Sequence, residues 1–253
     1  MTQKLENSIA NGYEFKLGDY ISRGFDIFKS NMGGYIGYAI LYFFIALVMA
    51  LIPGINLISS LFSSSFIFGY FLVSNSISAQ GIIPPFGTFF NGFNHIGKLI
   101  VITLITLVAV IAAFLPFLFS VGTGIFGLAA TTNGSAVWDS VKSMLPLLIG
   151  GLLVVTYLSI SWSFAGMIAV FHNMEAWAAM EKSRKVISKN WFMMLLFAIV
   201  LGFINLGGAL CLGIGLLFTV PLSYCAMYAA FEDIAGVHEE TSSIDDAIES
   251  IGS

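Results

Sequence analysis

EAWAAMEKSRKVISKNWFMMLLFAIVLGFINLGGA, residues 175–209, carries two kinds of segment in one run. Its first half has helical spacing: Trp177, Met180, Ile187 and Trp191 fall on one side, and Glu181, Lys182, Lys185 and Lys189 on the other. From Trp191 onward the run carries no charge and is long enough to cross a bilayer. An amphipathic helix therefore feeds an apolar span, and the rest of the chain repeats that pattern.

The composition agrees. Of 253 residues, 58% are hydrophobic and only 9% charged, far below the roughly 25% charged content of soluble domains. Between Gly33 and Gly97 there is no Lys, Arg, Asp or Glu. The expected class is an all-α, polytopic membrane helical bundle. The first thirty residues hold eight charges and no early apolar run before a small-residue cleavage site, so no secretory signal is expected and the N-terminus is placed in the cytoplasm.

Taken in order, 1–16 reads as a polar N-terminal tail without period, 17–231 as the membrane domain and 232–253 as an acidic C-terminal tail. In 17–31 the apolar positions Leu17, Tyr20, Ile21, Phe25 and Phe28 recur at helical spacing, as in a helix lying in the headgroup plane. A first span is expected over 34–52, ended by Pro53-Gly54, and a second over 56–77. Phe86, Phe89, Phe90 and Phe93 form one side of a short amphipathic stretch. It leads to a third span from Leu99, bent or ended near Pro116. Residues 120–134 look like a loop or a frayed helix end, and Ser135 is a candidate cap for a further amphipathic segment. The fourth span is expected over 146–170 and the fifth over 191–206, with a tight turn at Gly207-Gly208. The sixth covers 210–231, with a kink at Pro221. If that last segment is one helix, Cys211 and Cys225 stand about 21 Å apart along its axis and cannot pair.

Six spans make three hairpins. With the N-terminus inside, Lys4, Lys16, Arg23, Lys29, Lys98, Lys182, Arg184, Lys185 and Lys189 all fall on the inner side and only Lys142 on the outer. Both termini are then cytoplasmic. A shift of 159 residues lays GDYISRGFDIFKSNMGGYIGYAI over WAAMEKSRKVISKNWFMMLLFAI, pairing Arg23 with Lys182, Asn31 with Asn190 and Ile40 with Ile199. A weaker copy precedes the third span. The pattern implies three modules, each an inner-surface helix followed by two spans.

Two blocks carry a likeness to a known group: AWAAMEKSRKVISKNW at 176–191 and LGIGLLFTVPLSYCAMYAAFED at 212–233, the latter with Gly213, Gly215, Pro221 and Tyr228. From about residue 156 to 231 the chain resembles a broad group of uncharacterised bacterial integral membrane proteins, related to the membrane domain attached to some glycerophosphodiester phosphodiesterases. The likeness lies in layout, is weaker in the first half, and comes without a soluble phosphodiesterase domain. It implies a six-span bundle with a lipid-related role and carries over no catalytic residue.

Three constellations are candidates for function. Lys182, Arg184, Lys185 and Lys189 on an inner-surface helix would meet anionic lipid headgroups, at roughly 1 kcal/mol per basic residue near the surface; they equally serve as the topology signal. Asn56, Ser59, Ser60, Ser63 and Ser64 on the second span, with Thr156, Ser159 and Ser163 on the fourth, would line a polar groove for a substrate or headgroup. Close helix packing is the favoured alternative. His95, His172 and Glu175 are metal-capable types but are expected to be solvated at the interface. No span is expected to hold an ionisable residue, which argues against a proton-coupled pump. In the acidic tail a short helix from Ser243 would carry an apolar stripe for a partner or for the chain's own basic surface, with a solvating role favoured. No catalytic residue, cofactor, metal or nucleic acid is expected. Membrane lipids, and a protein at the inner face or acidic tail, are the expected partners. A non-enzymatic, lipid- or partner-associated membrane protein ranks first, and a permease for a small or amphipathic substrate second.

Overall fold

The computed structural model describes the backbone of residues 3–52, 56–129, 134–211 and 213–237, and the side chains among these except 56–60, 80, 123–141 and 143. Every regular element among the described residues is helical. In order they are α1 (Gln3–Asn11), α2 (Leu17–Ser30), α3 (Met32–Ala50), α4 (Asn56–Gln80), the 3-10 helix η1 (Phe86–His95) and α5 (Ile96–Ala129). Then follow α6 (Gly134–Ser161), α7 (Ala165–Phe171), α8 (Ala176–Ser188), α9 (Trp191–Leu210) and α10 (Leu216–Ala235).

Five stretches are long and apolar enough to cross a membrane: Met32–Ala50, Leu61–Ala79, Phe86–Gly122, Met144–Phe171 and Trp191–Leu210. They coincide with the first five expected spans and give the chain a membrane location. The expected sixth, now α10, is not among them. Ser223, Tyr224, Tyr228, Glu232 and Asp233 dilute its apolar content. Its surroundings explain that composition, because α10 is the helix the others surround. It packs against α1, α2, α3, α4 and α9, and Cys225, Ala226 and 228–231 are fully buried. Three alanines on this face let neighbours come close. Gly24 of α2 lies so tightly on the Ala226 backbone that a methyl at 24 would collide with it. The α4–η1 contact is made the same way: Gly69 sits against the Phe89 carbonyl and Gly92 against the Ser65 carbonyl. Tyr38 stacks on Phe89 at 4.6 Å and Tyr70 on Tyr224 at 5.1 Å, so aromatic rings fill the space between α3, α4, η1 and α10.

The repeat is visible in backbone geometry. Asn31, between α2 and α3, has φ −136° and ψ 42°; Asn190, between α8 and α9, has φ −137° and ψ 42°. The pairs Tyr20/Ala179, Ile27/Val186, Phe28/Ile187, Tyr35/Met194 and Tyr38/Phe197, each 159 residues apart, are all buried. The surface helices also find equivalent partners. η1 packs on α4 and α8 on α7, in each case the helix just before it, while α2 packs on α10, the last helix of the order.

Several expectations need correction. Residues 1–16 are not a featureless tail: α1 is held by fully buried Leu5, by Ser8 donating to the Ile234 carbonyl at 2.9 Å and by Glu6 on Lys182. These contacts sustain a helix too short to persist alone in water. Pro116 does not end the third span, since α5 runs through it to Ala129; one missing backbone bond is tolerated in so apolar a helix. The fourth span is instead interrupted at 162–164, between α6 and α7. Gly207-Gly208 is helical, because Gly208 is the close-approach point to Gly215 and Thr219. The turn falls after Cys211, with Gly213 at φ +78°, which removes Cys211 from the helix of Cys225. On α8, Trp177 is 67% exposed while Ala176, Ala179, Met180, Ser183, Val186 and Ile187 form the buried face. Phe25 of α2 is likewise exposed and Gly24 and Ile27 buried. The Pro53-Gly54 turn and the tail from 238 onward, with its Ser243 helix, lie outside the described residues.

Candidate functional site

Charge gathers where α1, α2, α8 and the end of α10 meet. The basic helix α8 contributes Lys182, Arg184 and Lys185, Lys189 follows directly after it, and each of the four has a partner within the chain. Lys182 Nζ meets Glu6 Oε1 at 2.6 Å. Arg184 forms a two-pronged bond to Glu181, 2.8 Å from Nε and 2.7 Å from an Nη. Lys185 stands 3.5 Å from the same carboxylate, and Lys189 Nζ donates to the Ala10 carbonyl at 3.4 Å. The guanidinium beside it holds the Glu181 carboxyl down at about 2. Two cations thus share one carboxylate, and the pair stays open to solvent.

The hydroxyls of the expected groove are dispersed. Ser63 lies in a groove of about 110 Å³ between α3 and α4, with Tyr42, Ile45, Met49, Phe62 and Phe66. Thr156 donates to the Leu152 carbonyl of its own helix at 2.8 Å, and Ser159 is exposed on α6. Among the described residues α6 contributes nothing to the lining around Ser63. Ser163 sits in the break after α6. The side chains of Asn56 and Ser59 lie outside the described residues. His95 packs against Phe68 at 6.1 Å and His172 edge-on against Phe231 at 6.0 Å. Among the described residues no three of His, Cys, Asp and Glu come together as metal ligands.

The site that residue patterns missed is at the end of α10. Glu232 and Asp233, expected to open the acidic tail, belong to the helix. The Glu232 side chain is 10% exposed and pairs with Arg23 of α2. Ser78 of α4 donates to it at 2.8 Å, and Tyr228, one turn earlier, reaches Asn75 Oδ1 at 2.8 Å and Glu232 at 3.4 Å. Asp233 accepts from Tyr20 at 2.8 Å and faces Lys16 at 3.7 Å. Burial and the bond to Asp233 push the Tyr20 phenol well up, so it stays a donor. A buried carboxylate survives only when paired and hydrogen-bonded, and here α2, α4 and α10 each supply part of that satisfaction. One layer further in, Tyr35, Ser74 and Cys225 are linked.

A sequence signal for this site exists. SFAGMIAVFHNM at 163–174 and SYCAMYAAFEDI at 223–234 align at a shift of sixty residues, with Ser, Met, Ala and Phe identical in place. Glu232 then stands where His172 stands, at the end of a helix and not in a tail. Such a bundle of apolar helices has the makeup of a multi-pass membrane protein. Comparison with protein-family models, curated proteins and solved structures finds no match.

Proposed function

We propose that the chain is a non-enzymatic, six-span protein of the cytoplasmic membrane, built as three hairpins with α10 as the sixth span. In this reading both termini face the cytoplasm and the protein associates with lipid or with a protein partner. It is the organisation implied by the resemblance to the bacterial group related to phosphodiesterase membrane domains. The observation that carries it is how the polar groups of the apolar helices are used. Ser74, Ser76, Thr103, Thr106 and Thr156 all donate to the carbonyl four residues back, and Asn205 of α9 bonds Ser223 of α10 at 2.9 Å. These hydroxyls spend their donors on their own helix backbone and do not offer them to a substrate. The permease alternative has one observation in its favour, the Ser63 groove between α3 and α4.

Native mass spectrometry of the detergent-purified protein with lipids from its own membrane tests the proposal. Retained phospholipid or a co-purifying protein is the expected result. A bare chain that instead drives solute uptake in vesicles would overturn it.

A further inference from the structure

We infer that the recess where the α6–α7 break meets α8 is a seat for the phosphate of an anionic membrane phospholipid. This rests on the lipid-associated reading above and gives it a location. The recess, about 170 Å³, is lined by Trp162, Trp177, Met180, Glu181 and Arg184. Trp162 comes from the turn between α6 and α7, the other four from α8. Three observations agree on the ligand.

The first is depth. Tyr157 of α6 packs on Trp191 at 5.7 Å, and Trp191 on Phe192 at 5.2 Å. With Trp162 in the turn after α6 and Trp177 in the first turn of α8, these are the residue types of the aromatic belt at a membrane boundary, gathered near the end of α6 and the starts of α8 and α9. Beside the belt, Leu152 and Leu153 of α6 are 57% and 66% exposed, an apolar flank along which acyl chains can lie.

The second is charge. Arg184 and Lys185 converge on the single carboxylate of Glu181, leaving one positive charge in excess at a solvent-open rim. Lys182 and Lys189, by contrast, are turned toward α1. A phosphate would take up that excess, and the guanidinium fork suits its geometry. The third is form. Two indoles and the Met180 side chain face the Arg184–Glu181 pair, with Lys185 on the same carboxylate, so the recess is apolar on one wall and charged on the other, matching a glycerophosphate with its chains attached.

The carboxylate and the phosphate compete for the same two cations, and this supplies the test. Full-length protein in detergent is titrated with phosphatidylglycerol, phosphatidylcholine or inorganic phosphate and read by native mass spectrometry. The wild type should retain phosphatidylglycerol in preference to phosphatidylcholine. Arg184→Gln and, separately, Lys185→Gln should each weaken retention about fivefold, the change that about 1 kcal/mol per surface cation produces. Glu181→Gln should strengthen it, a gain that misfolding cannot imitate. Equal retention by all the variants would overturn this site while leaving lipid association standing. Absence of retained lipid from every form would overturn both. Equal retention of phosphatidylcholine, or displacement by inorganic phosphate at matching concentration, would show that no anionic headgroup is selected.

Discussion

Removing Arg23 takes the guanidinium away from the buried Glu232 carboxylate, and that imbalance sets the cost. Arg23→Met should destabilise the protein by about 2–3 kcal/mol, below the roughly 3–5 of a fully buried pair because the guanidinium is partly exposed. The double change Arg23→Met with Glu232→Leu should recover most of the loss. Thermal unfolding in detergent of the two single variants and the double checks this, and a double variant no better than Arg23→Met would sink the account. Glu181 offers a second, independent reading at this scale. Its folded-state carboxyl is depressed to about 2 by Arg184, so the pair's contribution is complete above the ordinary glutamate range near about 4.3 and is lost as pH falls towards 2. In Arg184→Gln the titration of Glu181, followed by carbon-detected NMR, should move up towards that ordinary range. The two carboxylates also differ in how legible they were. Glu181 sits three residues before Arg184 and four before Lys185, spacings that announce a helical ion pair. Glu232 finds its partner across 209 residues, and composition alone groups it with the acidic residues that follow it.

At the scale of elements, the glycines divide into two kinds. Gly24→Ala should push α2 off α10, at about 1–3 kcal/mol of stability, because the new methyl would meet Ala226 backbone. Gly33→Ala, with open space around it, should be neutral or stabilise slightly. A similar rise in melting temperature for both would show that helix propensity, and not contact, governs these positions. Most helices were readable from the chain because apolar length and helical period are local properties. The boundaries that moved did so for tertiary reasons. Gly207-Gly208 reads as a turn until Gly215 is seen pressed against it, and α1, although Leu5 and Ile9 stand one turn apart in it, is nine mostly polar residues that do not tell what Leu5 is buried against. The expected groove is of the same kind, since like spacing on two helices says nothing about whether they face each other.

For the molecule as a whole, α1, α2, α5 and α8, which carry seven of the ten basic residues and are flanked by Lys16 and Lys189, pack against one another or against α10. If the end of α10 faces the cytoplasm, single cysteines at positions 12 and 173 should resist a membrane-impermeant thiol reagent in intact cells. One at position 213 should react. Labelling of 12 and 173 from outside would reverse the proposed orientation. The packing of α2 on α10 has a further consequence, which concerns time and not place. The ribosome delivers α2 early and α10 last, so the earlier helix has to wait through the synthesis of everything between them before its counterpart arrives. Until then Arg23 has no carboxylate to meet and the Gly24 face has nothing to lie on. An interrupted chain would therefore be left open at its first joint.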